Sequence, residues 1–165
     1  NYANLWKRIK NFNSIKQMID ILDFKKITEA RLNTVKILIK SKDWSGAAYM
    51  MGYVLEIALK AMICKTLNLK TYPDHKSTKE IKNCFRTHEF ESLLTLSGLS
   101  HIFSVDGDSN AFKNWSKFTR EYTGNWVEMR YDSQLLSQLS RNKVKILYNC
   151  LIREDGILTI IKRKW

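Results

Sequence analysis

Apolar positions recur at helical spacing along almost the whole chain, and the strongest run is WSGAAYMMGYVLEIALKAMICKTLNL, from Trp44 to Leu69. Ala47, Ala48, Met51, Leu55, Ala58, Leu59 and Met62 make one apolar face, and Met50, Val54, Ile57, Ala61 and Cys64 make a second beside it. A helix apolar over so much of its circumference must be covered on most sides, so the rest of the chain is expected to pack around it. What remains is a narrow stripe of Tyr49, Tyr53, Glu56 and Lys60, aligned on one line of the helix and in need of partners. Gly46 and Gly52 cost roughly 1 kcal/mol each against Ala in a helix interior, which points to close approach of a neighbouring backbone. Asp43 is the expected N-cap.

The same periodicity predicts the other elements. Leu5, Ile9, Phe12, Ile15, Met18, Ile19 and Leu22 make residues 1–24 an amphipathic helix, read as packed on the bundle, with a membrane-surface or partner-binding arm as the competing reading. Thr28 is the expected cap of a second helix ending near Lys42, with Leu32, Val35, Leu38 and Ile39 inward and a very short connection to the central helix. Pro73 ends regular structure, and residues 70–86 read as an exposed basic loop, open between a phosphate-contacting surface and a solvated loop. Thr87 is the expected cap of a short helix with His88 in its first turn, Phe90, Leu93 and Leu94 inward, and Gly98 as its stop. Residues 100–110 read as a loop whose Asp-Gly-Asp triplet is a turn rather than a calcium site. Helical spacing returns through Trp115, Phe118 and Tyr122, and a last long helix is predicted from Ser133 through Leu151.

Composition narrows the class. The chain has 165 residues, one Pro and six Gly, which favours a single all-helical domain with few breaks. No apolar run reads as long enough to span a bilayer and no secretory signal is recognised, so no membrane association is expected and the cytoplasm is the default compartment. The formal net charge of +12 attracts polyanions, and nucleic acid is set ahead of mere compositional bias as its meaning. Cys64, Cys84 and Cys150 show no paired spacing and read as reduced thiols, so neither a disulfide framework nor a metal site is expected.

With these segments in view, the chain resembles the HEPN domain family, in particular its small stand-alone bacterial members. The resemblance lies in Ala48, Tyr49, Gly52, Tyr53, Glu56, Leu59 and Lys60, then Tyr72-Pro73-Asp74, His88 with Leu93, Leu94 and Gly98-Leu99. It continues through Asn114-Trp115, Trp126, Arg130-Tyr131 and the terminal stretch with Gly156, Leu158, Ile161, Lys162 and Trp165. It spans residues 28–165, leaving the N-terminal helix outside it. The resemblance implies an all-α bundle of four to five main helices over residues 25–165, with the segment 1–24 as an extra helix. It also implies a homodimer that acts on RNA or nucleotide phosphates without a cofactor, in the manner of metal-independent endoribonucleases of toxin–antitoxin or phage-defence systems. The alternative it carries is a catalytically inactive module that partners another protein encoded nearby, such as a nucleotidyltransferase. Catalytic members carry Arg, four to six residues, then His. This chain has no such pair, because Arg86 stands only two residues before His88.

Metal-free RNA cleavage needs a base for the 2′-hydroxyl, a donor for the leaving 5′-oxygen and cations for the charge that develops at phosphorus. His88, Arg130 and Tyr131 are the catalytic candidates for those needs, and Lys60, Glu56, Trp126, Lys76, Lys79 and Lys82 are the candidates for phosphate or RNA binding. The plainer reading makes Glu56 and Lys60 an intrahelical ion pair shared with Arg130, Trp126 a core aromatic, and Tyr49 and Tyr53 structural.

Overall fold

The computed structural model describes residues 20–73, 78–103, 107–122, 126–132 and 139–165, apart from the side chains of Lys82 and Arg130. The expected helix over residues 1–24 therefore lies, as far as residue 19, outside the described residues. Among the described residues eight α-helices follow in order: α1 Ile21–Lys40, α2 Trp44–Thr66, α3 Lys79–Phe85, α4 Phe90–Leu96, α5 Ser100–Phe103, α6 Asn110–Thr119, α7 Arg141–Ile152 and α8 Ile157–Lys164. A 3₁₀ helix, Trp126–Tyr131, stands between α6 and α7. Among the described residues the extended pairing is a single antiparallel bridge, Asp20 to Thr71, so the fold is all-α as expected.

Helix α2 is the hub. It packs against α1, α4, the 3₁₀ helix, α7 and α8, which is why both of its apolar faces are buried from Ala47 to Cys64. Asp43 caps it, accepting the Gly46 N–H at 2.8 Å. The expectation that no apolar run reaches spanning length is corrected here. At 23 residues α2 is long and apolar enough by composition to cross a membrane, yet 78% of its most apolar window is buried inside the bundle. The two glycines are also tighter than expected, but against side chains rather than backbone. A Cβ on Gly52 would stand 2.8 Å from Trp126 Cε3, and one on Gly46 would run into the Asp43 cap.

Helix α1 starts about two turns earlier than predicted. Asp20 accepts the Asp23 N–H at 2.8 Å and is the true cap, and burial of Phe24 gives the added turns a reason to form. Thr28 is a buried interior residue whose hydroxyl donates back to the Phe24 carbonyl at 2.8 Å. The basic segment is likewise not all loop. Lys79–Phe85 is helical, and Phe85 is tied down by the Tyr72 hydroxyl, which donates to its carbonyl at 2.8 Å. Ser100–Phe103 is a short helix where a loop was expected, anchored by fully buried Phe103. The last long helix begins at Arg141 behind the cap Ser140; the predicted start at Ser133 lies outside the described residues. After it the chain turns through Gly156, where a Cβ would stand 2.6 Å from the Leu151 carbonyl oxygen, into α8.

Candidate functional site

The polar stripe of α2 finds its partners in two groups. Tyr49 and Tyr53 lie against Trp126, with ring centroids 5.5 and 5.9 Å away. Trp126 itself is buried, stacked on Phe90 at 5.7 Å, and closed over Gly52. Its indole is committed to the core, and its N–H donates to the His88 carbonyl at 2.8 Å. That bond fixes the backbone of His88 from one side, while buried Phe90 plugs the core two residues later.

His88 stands just before α4 rather than in its first turn. Glu89 is the N-cap, and the Thr87 hydroxyl accepts the Glu89 N–H at 3.1 Å instead of capping the helix. This placement turns the imidazole onto the stripe of α2. His88 Nδ1 lies 2.9 Å from Glu56 Oε2, and Lys60 Nζ donates to Glu56 Oε1 at 2.6 Å. One carboxylate thus serves two cations or donors, one on each oxygen. Glu56 is 4% exposed, which is tolerable for a carboxylate only because both oxygens are hydrogen-bonded. As a carboxylate accepts only, the Nδ1 position carries the proton, and Nε2 on the far side of the ring is left with no partner among the described residues. The His88 side chain is 48% exposed, so that edge is open to water.

Lys60 is turned inward. Its side chain is 15% exposed, and its ammonium lies 5.3 Å from the centroid of the Tyr72 ring as well as on Glu56. Tyr72 bridges this group to α1 through an edge contact with Phe24 at 5.7 Å. Of the predicted site residues, then, the fold brings together Glu56, Lys60, His88 and Trp126. Tyr131 lies at the end of the 3₁₀ helix, 77% exposed. Arg130 belongs to the same helix, but its side chain is outside the described residues, as is that of Lys82. Lys79 is exposed at the start of α3, and Lys76 lies outside the described residues.

Sequence reasoning missed the partner that completes the Glu56 pair. It set Arg130, whose side chain lies outside the described residues, beside the Glu56–Lys60 pair and did not place His88, 32 residues along the chain, on the second carboxylate oxygen. It also passed over a basic groove at the N-terminal end of α2, lined by Ile39, Lys40, Lys42, Trp44, Arg141 and Lys145. The available signal there was the absence of any acidic residue in the first turn of α7. The sequence matches no protein-family model, no curated protein and no solved structure, so the HEPN resemblance rests on the residues named for it above.

Proposed function

We propose that the chain is a HEPN-type helical protein that binds RNA or nucleotide phosphates and cleaves RNA, with His88 as its acid–base group. The observation that supports this reading is the pairing of a buried carboxylate, Glu56, with Nδ1 of a half-exposed imidazole, which leaves Nε2 facing solvent. A carboxylate in that position fixes tautomer and ring orientation and stabilises the imidazolium that forms when Nε2 takes a proton. An imidazole is also the side chain whose ordinary titration lies nearest neutrality.

In the proposed reaction Nε2 of His88 removes the 2′-hydroxyl proton and the 2′-oxygen attacks phosphorus. The P–O5′ bond breaks, and the departing 5′-oxygen takes its proton from water while Tyr131 donates a hydrogen bond to it. Arg130 is assigned to the charge at phosphorus, and Lys60 to holding the Glu56 carboxylate in place. A cytoplasmic toxin or phage-defence setting, a homodimer and a neutralising partner encoded nearby belong to the same reading.

A second reading has its own support. Tyr53 and Tyr131 are large exposed aromatics on the two elements that frame the pair, and a catalytically silent module would use them to dock a second copy or a protein partner. The test is cleavage of total cellular RNA in EDTA by the purified chain, beside His88→Ala and Glu56→Gln. General acid–base catalysis is worth roughly 100- to 10,000-fold, so His88→Ala should lose discrete fragments altogether and Glu56→Gln should retain a slower, measurable rate. Intact RNA with the unmodified chain, or undiminished cleavage by folded His88→Ala, would discard the enzymatic reading in favour of the docking one.

A further inference from the structure

The groove at the α1–α2 corner has a volume of about 710 Å³ and is lined by Ile39, Lys40, Lys42, Trp44, Arg141 and Lys145. Four of its six lining residues are cations and none is an acid. Among the described residues none of the four cations takes part in an ion pair. The nearest carboxylate in sequence, Asp43, is committed to the N-terminus of α2, where it accepts from Gly46 N–H at 2.8 Å and from the Ser45 hydroxyl at 3.2 Å.

Three features make this cluster costly to the fold. Arg141 and Lys145 stand one turn apart on α7, a like-charge spacing that destabilises a helix, and they do so at the helix's positive end, where an anion is preferred. The negative end of α1 gives the lysines little structural purpose, because its last carbonyls are already taken. Ser41 N–H bonds Ile37 O at 2.9 Å, Lys42 N–H bonds Ile39 O at 3.2 Å and Asp43 N–H bonds Leu38 O at 2.9 Å. Lys42 itself has φ +62°. The same capping position holds Asn68 at the end of α2 and Gly98 at the end of α4, the residue types that tolerate a left-handed backbone. A lysine in that place carries strain that an asparagine or glycine would relieve.

We infer that this corner is a binding track for single-stranded nucleic acid, separate from the His88–Glu56 pair. The phosphates lie along Lys40, Lys42, Arg141 and Lys145, and a base stacks on the half-buried indole of Trp44. An extended strand is the occupant that fits. The cations are long, flexible and spread over two elements, and the lining holds no glycine or hydroxyl residue of the kind that cradles a free nucleotide's phosphates. Trp44 stands twelve residues before Glu56, about 18 Å along α2, so the track and the pair are distinct places.

The experiment is fluorescence anisotropy of the full chain with a labelled oligouridylate of about 12 nucleotides, within the usual site size for such tracks, titrated with salt. For a single strand each neutralised phosphate contributes roughly 0.7 to the slope of log affinity against log salt. Lys40→Gln combined with Lys145→Gln should therefore lower the slope by roughly 1.4 and weaken binding roughly 25-fold at 0.1 M salt. Lys42→Gly should weaken binding roughly fivefold while raising the melting temperature, an outcome no structural role for that lysine would give. Trp44→Leu should lose roughly fivefold or more with the slope unchanged, and because anisotropy reads binding without cleavage, the result is separate from that of the cleavage assay. Unaltered affinity and slope in the lysine variants would overturn it. So would loss confined to phosphatidylserine vesicles with RNA binding intact, which would make the corner a lipid-facing surface.

Discussion

Removing the Glu56 carboxylate tests whether the stripe on α2 is held together as a buried ionic group. In Glu56→Ala the Lys60 ammonium loses its 2.6 Å partner and the His88 ring its 2.9 Å partner, at a position only 4% exposed. Breaking a buried pair by deleting one member costs about 3–5 kcal/mol, because the survivor is left charged without compensation. Lys60 keeps some contact with water at 15% exposure and retains the face of Tyr72, which puts the expected loss at the lower end, about 3 kcal/mol. For a chain of this size that is a fall of roughly 6–12 °C in melting temperature. Urea unfolding followed by circular dichroism measures it, and the double variant Glu56→Leu/Lys60→Met completes the cycle. The double variant should recover most of the loss, since an apolar pair of similar volume commonly replaces a buried ion pair at little cost. A Glu56→Ala protein within about 0.5 kcal/mol of the unmodified chain, the range of an ordinary surface substitution, would refute the argument: the carboxylate would then be solvated and His88 unrestrained.

Two further outcomes follow from the packing. Gly52→Ala gains about 1 kcal/mol of helix propensity but drives a Cβ to 2.8 Å from Trp126. Overpacking of that kind costs about 1–3 kcal/mol, so thermal unfolding should show a net loss near 1 kcal/mol, and a stabilised variant would mean that the indole moves aside freely. Burial, reinforced by the Asp20 carboxylate, pushes the Cys64 thiol up to about 11, and burial also raises Cys150. A thiol reagent at pH 8 should therefore modify one cysteine per native chain, exposed Cys84, and three in denaturant. Because the folded-state value of Cys64 lies above its ordinary 9.0, the stability its neutral form contributes is complete below pH 9 and is lost as the pH rises towards 11.

The central helix was legible because it satisfies two periodic patterns at once and carries its own cap, Asp43. Its neighbours were legible as elements but not at their ends. Asp20 and Thr28 are both of residue types that cap helices, and what decides between them is the burial of Phe24, a tertiary fact. The helix at Ser100–Phe103 escaped notice since four residues offer no periodicity, only one aromatic that the core takes in. The buried acid with a lysine one turn later was readable as half of a site. Its other half was not, because His88 reaches Glu56 through the path set by Phe90 and the Trp126–His88 bond, and no spacing along the chain encodes that.

The middle of α2 and its N-terminal corner differ in how their charge is balanced, and that difference assigns them different work on the proposed reading. At the pair, Glu56 stands between an ammonium and an imidazole, so little net field reaches solvent and the group can orient a proton acceptor but scarcely attract a polyanion. At the α1–α2 corner four cations stand without a described counter-charge, one of them on a strained backbone. That arrangement suits phosphate yet holds no imidazole or carboxylate to move a proton. Affinity for a strand is thus expected to reside in the corner and chemistry in the pair. The helix that joins them is held rigid by burial from Ala47 to Cys64, so the distance between capture and chemistry is set by the core itself.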